Sequence, residues 1–241
     1  MALSAVGLAG CPGNSGTETD TSTETDTEPG TDTSPTPTPT TTGTDEPGTQ
    51  SWSSKFDSSL GRDGNEFVVD GEPVYLNGTT NLALTQPSES STEQVDAMFD
   101  SLSGMGVNVL RTSAFGSGSD ERRQPEAGSF NEDAFELLDY VVAKANQHGV
   151  RLILSLTSWD DDFGGIPQYA EWAGTDGPEA FYANDEAQTR YRDFVETLLK
   201  RTNSYTGVQY REDPAIAVWE LADKAQLPAE EAGENVETLH E

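Results

Sequence analysis

Asn81, Arg111, Trp159 and Asp223 each stand just past the end of an apolar run. Residues at the carboxyl ends of parallel strands gather on one rim, where an α/β barrel keeps its active site. Other chemistries lack their parts. Cys11 is the only cysteine, so no intrachain disulfide forms. His148 and His240 are the only histidines, too few for a histidine-based metal site, and no Ser-His-Asp or Cys-His arrangement assembles around them. Asp160, Asp161 and Asp162 are of the type that ligates hard cations, but clustered acids in a loop of an already acidic chain are ordinarily just solvated. No metal and no cofactor is expected. Asn77-Gly78-Thr79 matches the N-glycosylation sequon, yet it closes a run that reads as a core strand and is expected to be inaccessible.

The elements that position these residues are legible by period from about Phe56 onward. EFVVDGEPVYLNGTTN reads as a hairpin around Asp70-Gly71, then a strand ending near Asn77. Ser91 opens a helix with Gln94 at the capping-box position and Val95, Met98, Phe99 and Leu102 on one face. The run from Val107 to Leu110 is a buried strand ending at Arg111. A second helix follows, with Phe135, Leu138, Val142 and Ala145 on one face, stopping at His148-Gly149. Leu152 to Leu156 is the next strand. A long loop through DDDFGGIPQYAEW leads to a helix carrying Tyr191, Phe194, Val195, Leu198 and Leu199. Pro214 starts a further strand from Ala215 to Trp219, and residues 230–241 read as the opening of another helix. Apolar strands alternating with amphipathic helices mean parallel β with crossover helices. A doubly wound sheet is disfavoured because no glycine-rich phosphate loop follows the first strand. The barrel reading is kept.

Before Phe56 the chain is of another kind. Residues 2–10, ALSAVGLAG, have the length of a signal-peptide core and are far too short to span a bilayer. Leu8-Ala9-Gly10-Cys11 resembles a prokaryotic lipobox, which implies lipidation at Cys11 and membrane contact through that anchor alone. No Lys or Arg precedes the apolar run, which departs from the pattern. Residues 12–54 are Thr, Asp, Glu, Pro, Gly and Ser, with SPTPTPTTT at the centre, and have too little to bury to offset chain entropy. A disordered, extended linker is expected there, with residues 1–11 as signal and lipobox and 55–241 as the folded domain.

Formal net charge is -30, from 43 acidic and 13 basic residues. A nucleic-acid partner is excluded by repulsion. Only four basic residues are lysines, Lys55, Lys144, Lys200 and Lys224. Abundant carboxylates with scarce lysine is the pattern of proteins that stay soluble in concentrated salt; an ordinary acidic extracellular protein is the alternative. Lipobox and acidic stalk together resemble a haloarchaeal cell-surface lipoprotein.

Four stretches carry a more specific resemblance: NVLRTSAF (108–115), LTSWDDDFGGIPQYAEWAG (156–174), FYANDEAQTRYRDFVETLLKRTN (181–203) and YREDPAIAVWELAD (210–223). In this order they resemble the first half of glycoside hydrolase family 5, most of all its endo-β-1,4-mannanase branch, over about Phe56 to Glu241. The resemblance implies a (β/α)8 TIM-type barrel, here truncated after about four βα units, and a retaining hydrolase that works on β-mannan or a related polysaccharide. Retention requires two carboxyls about 5–5.5 Å apart across the scissile bond, one as nucleophile and one as acid and base. In the family the acid/base Glu lies in a WELANEP motif past strand four, and the nucleophile lies past strand seven. Aligning WELA places Asp223 at the family's Asn, Lys224 at its acid/base Glu and Ala225 at its Pro. Glu220 cannot substitute, being four residues early on an alternating strand. Arg111 matches the family's supporting arginine, and Ser113 stands where the family has a sugar-stacking Trp. Trp159, Tyr169 and Trp172 are the candidate sugar-contacting residues. No catalytic pair is expected to be intact. The expectation is therefore a mannanase-like surface protein that is inactive as it stands. The alternatives are a non-catalytic polysaccharide-binding protein and the product of a decayed gene. Open barrel edges would favour self-association.

Overall fold

The computed structural model describes residues 52–226. Cys11 with its lipobox, the linker up to residue 51, His240 and the helix expected over 230–241 lie outside the described residues. Trp52 and Ser54, inside the segment expected to be linker, pack on the fold: the Trp52 ring lies edge-on to Tyr140 and Tyr205, and Ser54 Oγ donates to Asn146 Oδ1 at 2.6 Å.

A small antiparallel sheet comes first, with strands β1 (Gly61–Asp63), β2 (Glu66–Val69) and β3 (Glu72–Pro73). The β2–β3 turn is Asp70-Gly71, both at positive φ (53° and 83°), the backbone that a two-residue hairpin demands and that Asp and Gly tolerate.

The main sheet is parallel, in the order β4 (Gly78–Thr80), β5 (Val109–Ser113), β6 (Arg151–Ser155), β7 (Ile216–Glu220). Its first strand starts one residue after the expected end at Asn77. Gly78 pairs with Val109, and a Cβ at Gly78 would lie 3.3 Å from the Val109 carbonyl oxygen, so the close backbone approach begins where the side chain is missing. Residues 74–77, which precede β4, alternate: Val74 and Leu76 are half-buried, while Tyr75 and Asn77 are exposed. The expectation that the sequon asparagine would be inaccessible is therefore wrong; Asn77 is exposed.

Three helices match their sequence signals. Helix α1 (Thr92–Gly104) has the full reciprocal capping box between Ser91 and Gln94 and buries Val95, Phe99 and Leu102. In α2 (Glu132–His148) the Asn131 side chain accepts from the backbone N–H groups of Asp133 and Ala134, and Gly149 ends the helix in the left-handed region. Between β6 and the next long helix, the region expected to be loop contains a short helix, α3 (Gly165–Trp172). The Gly164-Gly165 pair conceals it in the sequence by reading as a breaker, and Pro167 is tolerated because it falls in the first turn. Helix α4 (Asp185–Lys200) is capped by Asn184 and buries Ala187, Phe194 and Leu198.

Strand alternation divides the main sheet's side chains. Leu110, Leu152 and Leu154 are fully buried with Phe99, Leu102, Phe135, Leu138, Phe194 and Leu198 in the core. Each such side chain contributes about 1.5–3 kcal/mol on leaving water. A polar tie closes the structure around them. Asp139 of α2, with no exposed surface, accepts from Arg201 Nε and Nη2 at 2.9 and 2.7 Å and from the Tyr210 hydroxyl at 2.5 Å. It thereby fastens α2 to the end of α4 and to the turn that leads into β7.

Candidate active site

On the other parity of the sheet, Arg111 of β5 is level with Ile153 of β6, and Ser155 of β6 is level with Glu220 of β7. Arg111 and Glu220 therefore share the carboxyl-terminal rim. Past β7 the chain is held against the loop after β6: the Asp223 N–H donates to the Thr157 carbonyl at 2.8 Å, and the Trp159 N–H donates to the Asp223 carbonyl at 3.0 Å. These bonds extend the β6–β7 pairing beyond the strands and bring Asp223 back to Arg111.

The result is a guanidinium shared by two carboxylates. Arg111 Nε and Nη2 donate to Glu220 Oε2 at 3.0 and 2.7 Å, and Nη2 also donates to Asp223 Oδ1 at 2.6 Å. Ser155 Oγ donates to the same Glu220 oxygen. The side chains of Arg111, Glu220 and Asp223 are 22, 29 and 10% exposed, so the cluster is mostly out of water. Burial works against the Arg111 charge, but the bonds and charges of Glu220 and Asp223 outweigh it and raise its pKa. Arg111 and Asp223 were legible as rim residues. Glu220 as the chief partner of Arg111, and Ser155 beside it, were not; the only signal was the i, i+2 parity that puts Val218 and Glu220 on one face.

Lys224 turns away from this cluster. Its φ is 51°, a left-handed backbone for a residue with a side chain, and its Nζ is ion-paired with Asp160 in the loop after β6. The hydrogen bond and charge of Asp160 raise its pKa above the ordinary lysine value, so it stays an ammonium at neutral pH and offers no dissociable proton there. Asp160 is thus taken up by a protein cation, and among the described residues no group of three His, Cys, Asp or Glu side chains is arranged to hold a metal ion.

The candidate sugar-contacting residues divide by burial. Trp159 is partly exposed and lies parallel to Tyr182, with centroids 6.3 Å apart and planes within 9°. Trp172 is partly exposed and packs edge-on against Tyr169. Tyr169 itself is buried, with its hydroxyl donating to Gln124 Oε1 at 2.9 Å and its ring edge-on to Tyr191. It supports the loop and does not face a ligand, which corrects the expectation. Ser113 is corrected likewise. It is buried, donating to the Leu82 carbonyl at 2.6 Å and accepting from Gln86 Nε2 at 2.7 Å. Residue 113 therefore offers no surface to a sugar ring.

Comparison with known proteins identifies the family. The profile of the family described as GH family 5 beta-mannosidase-like matches residues 57–239. Mannan endo-1,4-beta-mannosidase 1 of Arabidopsis thaliana is 38% identical over 169 residues, covering 68% of this chain and 41% of the relative. Mannan endo-1,4-beta-mannosidase 2 of Oryza sativa is 37% identical over 184 residues, covering 73% and 41%. Among solved structures, the endo-1,4-beta-mannanase of Rhizomucor miehei superimposes with a TM-score of 0.65 at 29% identity, over 70% of this chain and 49% of the other. The endo-beta-1,4-mannanase of Thermotoga petrophila gives 0.64 at 32% identity, over 69% and 38%. The chain thus spans about 41% of the length of these curated relatives. With a parallel sheet wrapped by crossover helices, the rim cluster at Arg111 and a family profile covering most of its length, the chain belongs to the GH family 5 beta-mannosidase-like family.

Proposed function

We propose that the chain is a mannanase-like domain that engages β-1,4-mannan-type polysaccharide and does not hydrolyse it. The observation that carries this reading is Lys224. It occupies the position aligned with the family's proton donor, and ion pairing with Asp160 keeps it protonated. Glycoside cleavage of this kind needs a carboxylic acid that gives its proton to the leaving oxygen near neutral pH. Glu220 and Asp223 do not fill that role, because both are engaged by the Arg111 guanidinium at the sheet rim. The relatives' names suggest the polymer, and the rim around Arg111 and Trp159 is the surface we assign to it.

A second reading, a polysaccharide-binding protein with no ancestral need of hydrolysis, is favoured by one observation. Trp159 keeps a partly exposed indole braced by Tyr182, which we assign as a stacking platform for a sugar ring. Both readings predict binding. In an affinity gel containing β-1,4-mannan the purified chain is retarded, and Trp159→Ala reduces the retardation at least threefold. Migration identical to that in a plain gel removes both readings.

The setting we propose is the outer cell surface, with Cys11 lipidated and residues 12–51 as a stalk, in a salt-rich medium that suits a net charge of -30. Self-association through β4 and β7, the outer strands of the main sheet, belongs to the same proposal.

A further inference from the structure

The sequence has a single Asn-x-Ser/Thr triplet, Asn77-Gly78-Thr79. The structure places it in the open, at the amino-terminal end of β4, at the opposite end of the strands from the rim that carries Arg111 and Glu220. Asn77 is exposed, and its Nδ2 makes one hydrogen bond among the described residues, to the Gly106 carbonyl at 3.1 Å. The backbone on either side is fixed: the Asn77 N–H donates to Asn108 Oδ1 at 2.7 Å, and Asn108 Nδ2 donates to the Tyr75 carbonyl at 2.8 Å.

A second, independent feature stands beside it. Tyr75 is 90% exposed, the most exposed large apolar side chain among the described residues. Residues 74–77 alternate between half-buried and exposed, so Tyr75 and Asn77 project from the same outward face, about 6.6 Å apart along an extended chain. Val74 and Leu76, the half-buried pair, line a cavity together with Phe56 and Val69. A sugar attached at Asn77 would lie within reach of the apolar face of the Tyr75 ring, which packs on no other ring among the described residues.

We propose that Asn77 is an N-glycosylation site and that Tyr75 is the platform for its first sugar. The donor is a saccharide carried on a lipid phosphate or pyrophosphate, presented on the outer side of the cytoplasmic membrane. Asn77 Nδ2 forms a bond to the anomeric carbon and the bond from that carbon to the phosphate oxygen breaks. The lipid phosphate leaves with the electron pair, and one amide proton passes to a base of the transferase. Nothing is oxidised or reduced. The glycan then sits beneath the sheet, where it covers the exposed hairpin side and leaves the rim open. The proposal requires export of the chain but is independent of what the rim binds.

The test is peptide-level mass spectrometry of the chain isolated from its own producing cells. The expected result is a saccharide mass on the peptide bearing Asn77, absent in Asn77→Gln and Thr79→Val and retained in Thr79→Ser. Because Thr79 is half-buried, the Ser variant separates loss of the acceptor hydroxyl from misfolding. Tyr75→Ala is expected to lower occupancy at least twofold. An unmodified Asn77, whether the chain is exported or retained, overturns the site; unchanged occupancy in Tyr75→Ala overturns the platform.

Discussion

Replacing Arg111 by methionine tests the rim cluster, because it keeps a long side chain and removes only the guanidinium. Glu220 Oε2 and Asp223 Oδ1 both lie within hydrogen-bond distance of Arg111 Nη2, at 2.7 and 2.6 Å. The two oxygens are therefore no more than about 5.3 Å apart, and two bare carboxylates at that separation repel by about 3 kcal/mol at an effective dielectric constant near 20. Solvent contact at Glu220, 29% exposed, screens part of this, so a net loss of about 2 kcal/mol at pH 7 is expected. The effect has a salt signature. Mobile ions screen the repulsion between these partly exposed groups, so the loss shrinks to about 1 kcal/mol or less in molar salt, as expected for a charge effect rather than a packing effect. It also has a partner signature: adding Asp223→Asn to Arg111→Met recovers at least half of the loss, because Glu220 then stands alone with Ser155 still donating to it. Urea unfolding of the chain and the two variants in low and in molar salt measures all of this. An equal loss in low and in molar salt, with no recovery in the double variant, would show that Arg111 acts through packing and refute the electrostatic reasoning.

Four further outcomes follow from the packing and its ion pairs. Asp139→Ala leaves the buried Arg201 guanidinium and the Tyr210 hydroxyl without their shared acceptor. The expected cost is about 3–5 kcal/mol, or about 10 °C in thermal midpoint by calorimetry. Gly165→Ala is expected to cost about 2–4 kcal/mol, because φ is 59° and the new Cβ would lie 2.4 Å from the Ser158 carbonyl oxygen. Gly174→Ala, also at positive φ but with open space around it, costs about 1 kcal/mol in the same unfolding assay. At Asp96, partial burial opposes the charge, but the Lys144 ammonium and the Tyr140 hydroxyl outweigh it and hold the pKa below the ordinary 3.8. A depressed carboxylate stabilises the fold above its unfolded pKa, and the contribution is lost as pH falls through the folded value. The stability gap between the chain and Asp96→Asn is therefore expected at pH 7 and narrows below pH 3.8 in urea melts.

Local signals made most of the scaffold legible. The Ser91–Gln94 capping box, the left-handed glycine at Gly149 and the Asp70-Gly71 turn each state a backbone requirement that only certain residues meet, and the structure uses all three. Helix α3 escaped because its start is set by tertiary fit. Gly164 and Gly165 are glycines since a Cβ there would strike Ser117 and Ser158, a contact that only the folded chain reveals. The rim was half legible. Arg111 and Asp223 stand at strand ends, but their bond to each other depends on the β6–β7 pairing running on through Thr157 and Trp159. Tyr169 carries the same aromatic signal as Trp159, and nothing local distinguishes the ring that is buried among Trp172, Phe181 and Tyr191 from the ring that stays partly exposed. The same holds for the backbone at Lys224. A proline after it would push residue 224 toward extended conformations, and with Ala225 there it takes φ of 51° and reaches Asp160.

The most direct measurement of the central claim is reducing-sugar release from β-1,4-mannan by the purified chain in concentrated salt, between pH 5 and pH 8. On the proposal that the Lys224 ammonium stands where the family's acid/base Glu does, release is expected to stay at the level of a heat-inactivated control across the whole range. Time-dependent release above that control, abolished by Arg111→Met, would show that this rim hydrolyses mannan without a carboxylic acid at residue 224 and would contradict the claim.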